Sequence, residues 1–476
     1  MINLNRYLHG LTLMVGLGAA ACGGGGEDPA GTGSTGNTSG GGGMGGMGSA
    51  AASTGGAGGV GGGGQGGAGG GQVLPMPAEN LNRDILHTAL SVDLTTKKAT
   101  ATITLSAAKD TAASFEVAGL SITAVKNAAG PLLFAVNGGR LDIGVPKSGT
   151  PATVIIDYGF EQQKLFEGLM ANGATLVWPY FCGNLFPCHS DPADGTTFSL
   201  EVKGTPAGLT TVVAPNIAVD APSYQVAWAT GEYASLDLGT TTAGTHLTTY
   251  YLPGGMAAAQ KGSAPLRDIF QWYETTYGPY PFGKEAGAVS VKWGPGAYGG
   301  MEHHPLFHIG EIAMGDPWIL AHEAAHGWYG DGVRIACWED LVLSEGTVSY
   351  LEARSITAIM GATEGQKLWA HYQTRLTPVA ATIAWPNGCG TIDVLKDLFG
   401  DAPYIKGAYF FRALEGKIGA SALDAVLAKF FKQRQGQAAK FSDLLDLVKA
   451  ESSYDAAACA TSWLKATTVP IEAACL

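Results

Sequence analysis

Hydrophobic and polar positions alternate along the first half of this chain and fall into longer amphipathic stretches along the second. Ala99-Thr100-Ala101-Thr102-Ile103-Thr104-Leu105 puts an apolar side chain at every second place. That is the period of a strand with one buried face. Val154-Ile155-Ile156 is a short apolar run ahead of Asp157-Tyr158-Gly159, and turn residues recur at short intervals, as in Asn137-Gly138-Gly139 and Pro206-Ala207-Gly208. An all-β domain of saddle or sandwich type is expected over residues 77–255. From about residue 256 the texture changes. Amphipathic stretches at 316–330, 345–360, 404–416, 421–434 and 441–451 predict helices, with a small sheet near 287–293. The second domain, 256–476, is therefore expected to be α+β and mainly α. No internal repeat of the length that marks a solenoid is present.

Ahead of both domains the pattern is of another kind. Arg6 precedes an apolar run from Leu8 to Ala21. The run has the length of a signal-peptide core and is too short to span a bilayer, which takes ~20 residues. It ends Leu17-Gly18-Ala19-Ala20-Ala21-Cys22. Small residues before a Cys resemble a bacterial lipoprotein cleavage site, with residues 1–21 removed and Cys22 lipidated. Plain secretion after an Ala-x-Ala site, with Cys22 lost or spare, is the other reading. Gly accounts for 71 of the 476 residues, and much of it lies in 23–71. Such a tract cannot bury enough apolar surface to fold. Residues 22–76 thus read as a flexible linker with an r.m.s. reach of ~40 Å for ~50 residues, suited to holding a body off a membrane.

The net charge is −12. Nucleic acid is excluded as an expected partner, because neutralising phosphates needs clustered Lys and Arg. The chain has 7 Cys. Cys22 set aside, Cys182, Cys188, Cys337, Cys389, Cys459 and Cys475 form an even set, as in exported disulfide proteins. Proximity favours Cys182–Cys188 and Cys459–Cys475, which leaves Cys337–Cys389; buried free thiols are the alternative. No close Cys-x-x-Cys pair points to metal.

The chemistry lies in the second region. Residues 322–326 read His-Glu-Ala-Ala-His, and Asp316-Pro317 ahead of them is a helix start. On a helix, His322 and His326 are four apart and share a face, where two imidazoles can bind one zinc ion. Glu323 then lies beside a metal-bound water. Eighteen residues separate His326 from Glu345, room for a short helix, a turn and a second helix. Two His, one Glu and an open fourth position make a catalytic zinc set, whereas structural zinc is closed by four protein ligands.

This pattern, with Leu343-Ser344-Glu345-Gly346 around the third ligand, resembles the gluzincin zinc peptidases, and most of all the membrane alanyl aminopeptidase family. Further segments match that family in order and spacing. They are Leu185-Phe186-Pro187-Cys188 with Asp191-Pro192, Tyr277-Gly278-Pro279-Tyr280-Pro281-Phe282, and Tyr298-Gly299-Gly300-Met301-Glu302. Downstream come Trp328-Tyr329-Gly330-Asp331, Trp338 with Asp340, and Pro403-Tyr404-Ile405-Lys406-Gly407-Ala408. Together they span roughly residues 77–416. The resemblance implies a thermolysin-like catalytic domain and one zinc ion on His322, His326 and Glu345. Glu323 would be the general base towards the zinc-bound water. Tyr404 would donate a hydrogen bond to the oxyanion of the tetrahedral intermediate. Glu302 would pair with the free α-ammonium of a peptide, and Gly299, Gly300 and Met301 would let the substrate backbone lie along a strand edge. Glu352, seven residues after Glu345, would either orient a ligand His or stand as a solvated Glu. His303, His304 and His308 are read as loop histidines without a second metal, and Lys406 is given no chemistry.

Two departures from the family bear on specificity. Its larger members carry a further helical domain over the active site, which this chain is expected to lack, leaving a more open cleft. The family also places a Gln or Glu for the substrate amine shortly before Phe-Pro-Cys. Here that stretch is Trp178-Pro179-Tyr180-Phe181-Cys182-Gly183-Asn184, so the amine grip is expected to rest on Glu302. The expected protein is a zinc-dependent aminopeptidase acting on extracytoplasmic peptides and anchored to a membrane of the bacterial envelope through lipid at Cys22. An endopeptidase with an open cleft and a non-catalytic binding lipoprotein on a peptidase scaffold are the alternatives.

Overall fold

A computed structural model describes residues 83–107, 111–147, 149–164, 166–294, 299–390, 392–398, 400–470 and 475. The expected signal segment, Cys22, the Gly-rich tract to residue 76 and Tyr298 lie outside them. Strands β1 (Ile85–Asp93), β2 (Lys98–Leu105), β3 (Leu120–Asn127), β4 (Gly130–Pro131), β5 (Ala152–Phe160), β6 (Thr196–Lys203) and β7 (Asn216–Ala221) form one sheet. Its order is β7-β6-β1-β2-β5-β3-β4. The period of two does what it predicts. Ala99, Ala101, Ile103 and Leu105 of β2 are buried, and so are Val154, Ile156, Tyr158 and Phe160 of β5. The register pairs Ala101 with Ile156 and Ile103 with Val154, which puts them on one face. A three-stranded sheet of Ala112–Glu116, Arg140–Gly144 and Phe134–Asn137 adds Ala113, Phe115, Leu141 and Ile143 to the same core. Its tight turn is Gly138-Gly139, at φ of 58° and 85°, the left-handed pair that a two-residue hairpin takes. The fold is thus a β-rich amino-terminal region followed by a mainly helical one, as the sequence pattern predicts.

The sheet of the second region begins ahead of residue 255. Strands β8 (Ala234–Thr240), β9 (His246–Tyr251), β10 (Glu285–Val291), β11 (Gly300–Met301) and β12 (Leu306–Gly310) run in the order β8-β9-β10-β12-β11. The β8–β9 hairpin carries the same alternation as the strands before it. Only its parallel pairing with β10 assigns it to the later sheet, and no local pattern shows that pairing.

The helices are α1 (Met256–Ser263), α2 (Leu266–Tyr277), α3 (Pro317–Ala325), α4 (Thr347–Met360), α5 (Ala362–Val379), α6 (Ala402–Ile418), α7 (Ala420–Arg434) and α8 (Phe441–Ser452), followed by a short turn at Ala457–Ala460. Helices α4, α6, α7 and α8 lie where the amphipathic stretches put them. The stretch 316–330 stops early, at Ala325, because Gly327 and Gly330 follow and the chain turns at Gly330 with φ +102°. Helices α1, α2 and α5 lie outside the predicted stretches. In α5 the buried stripe Leu368, Tyr372 and Leu376 is thin and the helix carries Gly365 and Pro378. Three disulfides close Cys182–Cys188, Cys337–Cys389 and Cys459–Cys475. No helix among the described residues is long and apolar enough to cross a membrane.

Candidate active site

Helix α3 starts on a cap. The Asp316 side chain accepts from the Trp318 backbone N–H at 3.0 Å, with Pro317 at the first helical position. Two turns on, His322 and His326 project together. The Nε2 atoms lie 3.3 Å apart, and Glu345 Oε2 lies 3.3 Å from one and 3.4 Å from the other. Each imidazole is held from behind. His322 Nδ1 faces Glu352 Oε2 at 3.0 Å, and His326 Nδ1 faces the Tyr329 carbonyl at 3.1 Å. With the Nδ1 protons given to those acceptors, both Nε2 lone pairs aim at the point that Glu345 also faces. A tetrahedral zinc with bonds of ~2.0–2.1 Å needs donors roughly 3.4 Å apart. The three donors meet that test, and the chemistry of the set is that of zinc.

Glu345 comes from a wide, π-type turn, Val342–Gly346, that feeds into α4. Burial would raise its carboxyl, but His326 and His322 outweigh that and hold it down at about 2. Burial likewise lowers His322, and the carboxylates of Glu345 and Glu352 more than reverse it. The turn meets α6 at bare backbone. A Cβ on Gly407 would fall 2.4 Å from the Gly346 Cα. This close approach brings Tyr404, one turn earlier on α6, over the metal-binding face. Its ring stacks on His322 with centroids 5.9 Å apart and planes 19° apart. Burial, then the Glu345 and Glu302 charges, push the Tyr404 hydroxyl well up, so it stays a donor. Lys406, in the same motif, is structural: Nζ donates to the carbonyls of Thr382 and Ala466 at 2.8 and 2.6 Å.

Glu302 follows the edge strand β11 and meets the zinc helix. One carboxylate oxygen each of Glu302 and Glu323 and a nitrogen of His326 lie within 4.8 Å of one another. Gly300 makes this possible, since a Cβ there would meet Glu323 Oε1 at 2.4 Å. Gly299 faces Ile319 on α3. The Met301 side chain is buried, so what this residue offers is its main chain. Burial raises both carboxyls. Glu323 reaches about 8 with Glu302 and Glu345 adding to burial and His322 and His326 opposing it; Glu302 is raised as well, burial outweighing the pull of His326. A cationic partner is what this crowded set of acids calls for.

The structure thus brings together His322, Glu323, His326, Glu345, Tyr404, Glu302, Gly299 and Gly300. Glu352 is no solvated side chain: it lies buried between His322 and the Tyr372 hydroxyl, which donates to Glu352 Oε2 at 2.6 Å. His304 bridges the Tyr280 hydroxyl, at 2.7 Å, and the Glu323 carbonyl, at 2.9 Å. His303 and His308 pack edge to face with centroids 4.7 Å apart, and burial lowers both. Sequence reasoning missed Tyr372 and the pair Tyr224 and Gln225. Tyr372 lies on the weakly patterned α5, and the pair lies in a turn of the β region, so only tertiary structure brings them here.

Two His and one Glu converging on one point are the donor set of a catalytic zinc site. Comparison with known proteins then narrows the class. Residues 317–463 match the peptidase family M1 domain. The fold resembles an M1 zinc metallopeptidase from Deinococcus radiodurans, with a TM-score of 0.70 at 20% identity, over 82% of this chain and 94% of that one. It also resembles yeast LTA4 hydrolase, with a TM-score of 0.69 at 22% identity, over 84% of this chain and 70% of that one. By sequence the chain is 22% identical to human endoplasmic reticulum aminopeptidase 1 over 343 residues, 63% of this chain and 36% of that protein. It is 26% identical to aminopeptidase M1-B of rice over 329 residues, 60% of this chain and 36% of that protein. The chain spans just over a third of the length of these curated relatives.

Proposed function

We propose that the chain is a zinc-dependent aminopeptidase that removes amino-terminal residues from peptides outside the cytoplasm, held to a membrane by lipid on Cys22. The observation that carries the reading is the buried Glu302 carboxylate beside Glu323 and His326. A buried acid at the end of an edge strand suits a peptide's terminal ammonium, and a charge pair there selects chains with a free amino terminus.

His322, His326 and Glu345 would hold zinc, which when bound lowers the pKa of a water towards ~7 and polarises a carbonyl. Glu323 accepts the proton of the attacking water and passes it to the leaving amine. Tyr404 donates a hydrogen bond to the carbonyl oxygen as it gains charge. Glu302 fixes the ammonium, and with it the distance from the amino terminus to the bond that is cut. The main chain of Gly299 and Gly300 pairs with the extended substrate. Export is supported by the three disulfides and by the pattern of the first 22 residues. An amino terminus without lipid, found by mass analysis of the mature protein, would overturn the anchor.

The test uses a chain starting near Gln72 and one peptide in two forms, free and acetylated at the amino terminus. Stepwise loss of residues from the free form alone, abolished by a zinc chelator, is expected. Internal cuts in both forms would make the protein an endopeptidase. A Glu323→Gln variant that keeps zinc and still cleaves as wild type would overturn the mechanism, and chelator-insensitive inertness of the wild type would leave a binding scaffold.

A further inference from the structure

We propose that Gln225 is the positioning residue for Glu302. The proposal rests on the aminopeptidase reading above. Gln225 ends a single helical turn, Ser223–Gln225, in the β region and is fully buried. Its Nε2 donates to the Glu302 main-chain carbonyl at 3.0 Å. The same oxygen accepts the His304 N–H at 2.6 Å. The peptide plane that follows the Glu302 side chain is therefore gripped from two sides, just where β11 ends and regular pairing no longer fixes it.

The neighbouring residue grips the other partner. The Tyr224 hydroxyl donates to Asp331 Oδ1 at 3.1 Å. The Asp331 N–H in turn donates to the His326 carbonyl at 3.3 Å. One two-residue element of the β region thus holds both the strand end that carries Glu302 and the exit of the zinc helix. It sets the spacing between the ammonium acceptor and the metal-binding nitrogens, the quantity on which removal of a single residue depends.

The polar choice at 225 costs stability. Gln225 Oε1 is buried with no hydrogen-bond partner among the described residues. A buried amide with half its capacity unmet is worse for folding than an apolar side chain of the same size. Retention of a costly polar group is expected where its other half serves the site. Since the facing groups, the Glu302 carbonyl and the Asp331 carboxylate, are acceptors, the nitrogen must point to them and the oxygen away.

The test compares wild type with Gln225→Met, an uncharged side chain of similar length without a donor. The substrate is leucine p-nitroanilide, with its acetylated form as control. A rise in KM of about 10-fold for the free amine is expected from one lost hydrogen bond to a buried group. The kcat value and zinc content should be close to wild type, and the melting temperature no lower than wild type. In a Glu302→Gln background the same substitution should change KM no further, because it acts through Glu302. An unchanged KM, or an equal rise in that background, would overturn the positioning role. Gln225→Leu serves as a second apolar variant; failure of both to fold would show that the amide is structural and would also overturn it. Equal hydrolysis of free and acetylated substrate by wild type is a different failure. It sinks the aminopeptidase reading itself and is seen before any variant is made.

Discussion

At the scale of single residues, the site depends on groups that touch no substrate. Glu352 holds His322 through Nδ1 and is itself held by the Tyr372 hydroxyl. With glutamine in its place the imidazole keeps its packing but loses the charge that fixes its tautomer and raises its basicity. Glu352→Gln should therefore weaken zinc binding by about 10–100-fold. Titration against a chelator of known affinity reads this directly, and an unchanged affinity would show that Glu352 only fills space. Tyr404 makes the opposite prediction. It stacks on His322, and its hydroxyl is kept protonated by burial and by neighbouring carboxylates. Tyr404→Phe keeps the ring and the metal, so kcat should fall about 10²–10³-fold with zinc affinity unchanged. A Tyr404→Phe enzyme with wild-type kcat would remove the tyrosine from the mechanism.

At the scale of elements, the sequence shows some of the design and hides the rest for identifiable reasons. His322, Glu323 and His326 are legible because a helix repeats nearly every four residues, and Asp316-Pro317 marks where it starts. Glu345 is legible only through its spacing. Its element is a wide turn rather than the first turn of a helix, and such turns carry no periodic signal. Strands β2 and β5 are legible by their alternation. The β8–β9 hairpin is legible as strand but not as part of the later sheet, because parallel pairing is long-range. Helix α5 is hidden by its polar surface, and Tyr372 is hidden with it. What aligns these elements is close backbone contact, best seen where the turn of Glu345 crosses α6 at Gly346 and Gly407. A Cβ on Gly407 would lie 2.4 Å from the Gly346 Cα and 2.9 Å from a Val342 methyl. Gly407→Ala must push α6 off the turn and shift Tyr404 against Glu345. A loss of about 1–3 kcal/mol in urea unfolding is expected from such overpacking, together with a fall in kcat larger than that of Tyr404→Phe, since zinc geometry is disturbed as well. A stable, fully active Gly407→Ala protein would mean that the two elements are not in fixed register.

At the scale of the molecule, the β region and the helical region are joined by hydrogen bonds that end on catalytic elements. Arg334, eight residues after His326, donates to the Asp220 carbonyl at 2.6 Å and the Gly436 carbonyl at 3.0 Å, and so ties β7 to the loop after α7. Tyr224 and Gln225 reach Asp331 and Glu302 in the same way. The Cys337–Cys389 bond closes a loop of 52 residues that contains both Glu345 and Glu352. In the chain-entropy picture a loop of that length is worth about 4 kcal/mol. Because the hydrogen bonds of Arg334, Tyr224 and Gln225 cross from one region to the other, the β region and the zinc site are expected to unfold together. Unfolding in urea followed by tryptophan fluorescence, far-ultraviolet circular dichroism and peptidase activity should give one shared midpoint. The midpoint should move to lower urea once the disulfides are reduced, and all three signals should move together. Activity lost ahead of a later structural transition would show instead that the two regions fold as separate units, and the contacts of Arg334, Tyr224 and Gln225 would then be too weak to hold the site.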